Sequence, residues 1–117
     1  MQCFSRDKLG KEMLPGRTIQ RAIGTYSSSS SMIMTVGFAY YSVEAGSMEP
    51  HQHAEEAIYV IDAKDGWVKY GPKKDQLENK VSLTSGMVLH VPDGEWHVFR
   101  YAKEGFVDIV FMYAKVM

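Results

Sequence analysis

Apolar side chains recur with a period of two along most of the chain, and clusters of Gly, Pro, Asp, Asn and Ser break the alternation at short intervals. That pattern predicts strands, because successive side chains of a strand point to opposite faces. Residues 17–23 (RTIQRAI) read as a first strand, and residues 24–31, which include five consecutive serines, as an exposed loop. In the next run, residues 32–43, Met32, Met34, Val36, Phe38 and Tyr40 share one face while Ile33, Thr35, Ala39 and Tyr41 share the other. Both faces are largely apolar, so the strand belongs between layers or at an oligomer interface, and Gly37 suggests a bulge within it. Residues 44–46 turn the chain into a segment bearing two histidines. Residues 57–62 and 67–71 then predict an antiparallel hairpin across residues 63–66, whose Asp65-Gly66 pair suits such a turn. A charged loop over 72–79 follows, with strands at 80–83, 87–91, 95–101 and 106–116 separated by turns at 84–86, 92–94 and 102–105. Ahead of them all, residues 1–14 carry a short-helix signature, with Ser5 as cap and Asp7 in the first turn, or form a loose arm. Short strands joined by turns, with no interior helix, imply an all-β domain, either a closed barrel or a jelly-roll sandwich.

Length and charge narrow this picture. At 117 residues the chain forms one domain, read as an arm over 1–16 and a barrel over 17–117. With 13 basic and 14 acidic residues the formal net charge is −1, which argues against nucleic acid and acidic membrane surfaces and for a small-molecule partner. No apolar run has transmembrane length and the polar first residues do not resemble a signal peptide, so a soluble cytoplasmic protein is expected. A single cysteine, Cys3, excludes an internal disulfide framework and fits a reducing compartment. Eight methionines suit irregular core gaps or an adaptable pocket wall. The doubly apolar run at 32–43 and the closing strand make a homodimer the expected assembly.

Candidate chemistry concentrates at residues 46–59, GSMEPHQHAEEAIY. On an extended chain His51 and His53 point to the same side and Gln52 to the other, so the two imidazoles form a pincer. Glu56 completes it if a turn at Ala54-Glu55 swings the carboxylate back. Far downstream, His97 follows a Pro92-Asp93-Gly94 turn, whereas His90 lies on an apolar strand and reads as a core or interface histidine.

Two motifs emerge. In the second, Gly86, Pro92, Gly94 and His97 keep the spacing G-x5-P-x-G-x2-H; in the first, Gly46, His51, His53 and Glu56 follow in the order G, H-x-H, E. Over residues 35–115 these segments resemble the paired motifs of the cupins, specifically the small single-domain type (cupin 2). The departures are also plain: Gly46 leads His51 by four intervening residues instead of five, Glu56 follows His53 after two instead of three, Ala63 replaces a final glycine, and Tyr101 stands where Asn is usual. The resemblance implies a double-stranded β-helix and a divalent transition metal (Mn, Fe, Ni, Co, Cu or Zn) held by His51, His53, Glu56 and His97. The shortened spacing leaves Glu55 as an alternate to Glu56. Three imidazoles and one carboxylate suit such metals on chemical grounds too, and leave coordination positions open.

Phase along the strands adds a candidate pocket of Met34, Tyr40, Ile58, Phe99 and Met112, with Glu49 and Tyr101 as candidate catalytic groups. The resemblance then implies a metal-dependent oxygenase, isomerase or lyase/decarboxylase acting on a small oxygen-bearing molecule. A non-catalytic module binding a sugar or acid, or sensing one, is the alternative.

Overall fold

The computed structural model describes residues 1–114. Two long antiparallel strands organise it: β4, Glu56–Gly71, and β7, Trp96–Ala114, which pair along nearly their whole lengths. Before them come β1 (Lys11–Leu14), β2 (Arg17–Ile23) and β3 (Met34–Tyr41); between them lie β5 (Asn79–Ser82) and β6 (Val88–Val91). The strand order is β1-β2-β3-β7-β4-β5, with β6 on the first half of β4. Every pairing is antiparallel.

A sheet this long must bend to enclose a core, and the bends are visible in the register. The β4–β7 pairing slips between Val60 and Asp62 and again between Lys64 and Gly66. The first slip inserts one residue of β4, a bulge that increases the local twist; the second passes Asp65 of β4 against residues 102–105 of β7. Asp65 takes the left-handed conformation, with φ 47°. At Gly66 a Cβ would lie 2.5 Å from Cγ2 of Val107 and 2.9 Å from the Phe106 carbonyl oxygen, so only glycine lets the strands approach at the bend. Past it, the second half of β4 pairs with β5 and the first half of β7. The two curved halves face each other across one core of Ile19, Ala39, Tyr41, Ile58, Val60, Val68, Phe99, Val107, Ile109 and Phe111. Tyr41 of β3 meets Phe99 of β7 across it, with ring centroids 4.8 Å apart.

Several expected elements differ. The hairpin at residues 63–66 does not form, because β4 runs through it paired with β7, Ala63 with Val107, Lys64 with Phe106 and Gly66 with Tyr101. Residues 102–105, expected as a turn, lie within β7 between the partners Tyr101 and Phe106, and are skipped by the pairing with β4. Asp-Gly relieves a bulge here instead of closing a turn. The first 14 residues hold a short 3-10 turn, Arg6–Lys8, and then β1 on the sheet edge. Arg6 fastens this segment to the barrel through a two-pronged pair with Asp108 (2.7 and 3.0 Å) and by lying 4.5 Å over the Phe38 ring. The histidine segment is not a strand of the sheet; among the described residues its one β-bridge is His51 to His97. Lys115 and Val116, expected in the closing strand, lie outside the described residues. No helix among the described residues is long and apolar enough to cross a membrane.

Candidate metal centre

The centre forms where the loop ahead of β4 is tied to the start of β7. His51 and His97 exchange backbone hydrogen bonds of 3.0 and 2.9 Å, and the Gly94 amide donates to the His53 carbonyl at 3.1 Å. Gly94 has φ 80°, which closes the turn after Pro92 and starts β7 at the position that aims His97 inward. Two further residues of β7 hold the loop: Arg100 donates to the Met48 carbonyl at 2.6 Å, and the Tyr101 hydroxyl lies 2.8 and 2.9 Å from the carbonyls of Ser42 and Gly46.

These ties converge three rings. His51, His53 and His97 each place a ring nitrogen within 4.8 Å of the others', with centroid separations of 4.4 to 5.2 Å. Nδ1 of His53 lies 3.2 Å from the Ala54 carbonyl and Nδ1 of His97 lies 3.1 Å from the Glu95 carbonyl. A carbonyl only accepts, so each Nδ1 carries a proton, and in the neutral form of each ring Nε2 keeps the lone pair. Both Nε2 atoms face Oε1 of Glu56, at 3.5 and 3.6 Å. Glu56 is 5% exposed and His97 2%, and Oε1 of Glu56 and Nδ1 of His51 are buried with no hydrogen-bond partner. Burial, followed by the neighbouring His97 and His53, lowers the pKa of His51 to about 3, so its ring is neutral near pH 7.

Acceptors converging without a donor between them are an unfavourable arrangement unless a cation joins them. Two imidazoles whose Nδ1 is fixed on a backbone carbonyl, a third imidazole and one carboxylate are the donor set a divalent transition metal takes. The residues therefore fit such an ion.

The cluster opens into a cavity of about 230 Å³ whose wall also includes Arg17, Arg21, Tyr41, Phe99, Phe111 and Tyr113. Tyr113 packs against His53, with centroids 5.2 Å apart. Burial and then the charge of Glu56 hold the Tyr41 phenol above its usual range, so it stays a proton donor.

Of the expected pocket residues, Phe99 lines this cavity and Ile58 lies in the core beneath it. Met34, Tyr40 and Met112 are instead partly exposed on the outer face. The inward face of β3 carries Ala39 and Tyr41, the opposite phase from the one expected. Glu49 and Tyr101 are not brought to the cavity wall. The Glu49 side chain is 85% exposed and reaches Lys74 at 3.6 Å, since its loop stands off the sheet. The Tyr101 hydroxyl is engaged in holding that loop. Glu55 turns outward to His90, at 2.6 Å, leaving Glu56 as the carboxylate in the cavity wall. Sequence reasoning missed Arg17, Arg21, Tyr41 and Tyr113. Strand alternation could have found the arginines, because they flank Ile19 in phase on β2.

No family model matches the chain, and no curated protein matches it in sequence. Solved structures do match. The polyketide cyclase RemF from Streptomyces resistomycificus is 20% identical with a TM-score of 0.73, over 97% of this chain and 79% of that one. Hydroxypropylphosphonic acid epoxidase from S. wedmorenis is 15% identical with a TM-score of 0.67, over 97% of this chain and 59% of that one. A variant of oxalate decarboxylase from Bacillus subtilis is 15% identical with a TM-score of 0.68, over 96% of this chain but only 29% of that one. Likeness at such identities speaks to the fold. The architecture of this chain is an all-β jelly-roll barrel, the fold it shares with these structures.

Proposed function

We propose that the chain is a small single-domain cupin that holds a divalent transition metal through His51, His53, His97 and Glu56 and acts on a small oxygen-bearing organic molecule in the adjoining cavity. The observation that carries this reading is the buried Glu56 Oε1, without a hydrogen-bond partner and facing the Nε2 atoms of two imidazoles at 3.5 and 3.6 Å. Bound there, the metal supplies Lewis-acid polarisation of substrate oxygens and, if redox-active, electron transfer. The chain's own contributions are clear. The carbonyls of Ala54 and Glu95 hold the rings in the ligating tautomer, Phe99 and Phe111 make part of the wall apolar, and Tyr41 offers a protonated hydroxyl. Similar solved structures of an epoxidase, of lyases and of a decarboxylase support oxygenase or lyase/decarboxylase chemistry as the class.

A second reading, a binding or sensing module without turnover, is favoured by one feature. Among the described residues lining the cavity, Glu56 is the sole carboxylate and already belongs to the ligand set. Two further parts of the reading concern setting. The exposed Met34, Tyr59, Val88 and Met112 on the outer face support a homodimer, and the free, exposed Cys3 supports a reducing cytoplasm.

Elemental analysis of the purified protein tests the metal. Near-stoichiometric metal, lost in the His51→Ala/His53→Ala double variant, is the expected result; protein that neither carries nor takes up a transition metal refutes the reading. A panel of oxygen-uptake, isomerase and lyase assays on the loaded protein then separates enzyme from binding module.

A further inference from the structure

Strand β2 presents an alternating row to the cavity: Arg17, Ile19 and Arg21 line the same wall as the three histidines and Glu56. The two guanidinium groups differ in what they meet. Arg21 is offset by Glu12 of the neighbouring strand, with Nε 3.3 Å from Oε2. Arg17 donates from Nη1 to the Pro15 carbonyl at 3.0 Å and has no carboxylate partner among the described residues. That bond occupies one of five guanidinium N–H donors. The cavity wall thus carries two cations against one carboxylate, and the carboxylate is Glu56, turned to the imidazoles.

An arginine at the wall of a small cavity, half-buried and without an anion, is a ready site for one. Its planar fork matches the two oxygens of a carboxylate, and partial desolvation strengthens the pair. The volume bounds the rest of the molecule: about 230 Å³ lies below the roughly 300–1,000 Å³ of pockets that hold drug-sized ligands. The geometry points to Arg17 as an anion-recognition residue and to a small organic carboxylate as the ligand class, its carboxylate on Arg17 and a second oxygen turned toward the His51, His53, His97 and Glu56 cluster. This rests on the metal-site reading above for the role of the second oxygen; the carboxylate contact at Arg17 is independent of it.

The test compares L-lactate with lactamide, which share the hydroxyl but differ in charge, by isothermal titration calorimetry on protein loaded with Zn(II) and on chelator-treated protein. Metal content and thermal unfolding are measured for every sample. Wild type is expected to prefer lactate by about tenfold or more, the contribution of one charge-assisted pair. Arg17→Met should bind both equally with metal content unchanged, Arg17→Lys should keep part of the preference because it retains the charge without the fork, and Arg21→Met should keep most of it. Equal affinities in wild type, binding of neither probe, or a preference that survives Arg17→Met in a folded protein overturns the inference and leaves the metal reading standing. Wild type that takes up no Zn(II) refutes the metal reading instead. The preference in chelator-treated protein then decides the role of Arg17.

Discussion

Replacing Glu56 by glutamine should move stability in opposite senses with and without metal. In the metal-free protein Oε1 is buried with no hydrogen-bond partner, 3.5 and 3.6 Å from the Nε2 atoms of two imidazoles. An unsatisfied buried polar group costs about 1–3 kcal/mol, and more if charged. The side-chain amide that Glu56→Gln introduces keeps the shape, removes the charge and can donate to either Nε2. The variant is therefore expected to gain about 1–3 kcal/mol, an upward shift of about 2–8 °C in Tm per kcal/mol for domains near this size. With metal the argument reverses. Free metal at 100 times Kd stabilises the native state by about 2.7 kcal/mol; a hundredfold loss of affinity on removing the anionic oxygen leaves about 0.4 kcal/mol of that gain. Thermal unfolding in chelator, then with Zn(II) or Mn(II) at fixed free concentration, reads both. A variant less stable than wild type in chelator would mean that the Glu56 oxygen is well satisfied in the native barrel. A metal-induced shift as large as that of wild type would remove Glu56 from the ligand set.

Three other expectations follow from the same coordinates. His97→Ala should lose metal about as completely as His51→Ala, whereas His90→Ala, whose side chain sits exposed beside Glu55, should retain it on elemental analysis; equal losses would contradict the assignment. Tyr101→Phe removes the hydroxyl that binds the Ser42 and Gly46 carbonyls, so chemical denaturation should show a loss of about 0.5–1.5 kcal/mol with metal stoichiometry unchanged. Loss of metal without loss of stability would place that hydroxyl in the site instead. Gly66→Ala sets a methyl against Val107 and the Phe106 carbonyl at the bend of the long strands, and should cost about 1–3 kcal/mol in the same experiment; a neutral result would show that the bend relaxes freely.

The local patterns were legible because they depend on neighbours in sequence. Alternation marked residues 17–23 as a strand with the bounds that β2 has, and the Pro92-Gly94 turn with His97 at its fixed offset placed the start of β7 to within a residue. The His51/His53 spacing put two imidazoles on one side of the chain, and the lack of an interior helix pattern announced an all-β chain. Other features were beyond that reach. A period of two says which residues share a face but not which face is inside; where both faces are apolar, as over residues 32–43, packing alone chose Ala39 and Tyr41 over Met34 and Tyr40. Asp65-Gly66 satisfies a turn or a bulge equally well, and the long pairing with β7 made it a bulge. The convergence itself was a tertiary outcome. His51 and His97 meet only because their backbones bridge, and Glu56 rather than Glu55 faces them because β4 begins at Glu56 and the pleat sends successive side chains to opposite sides.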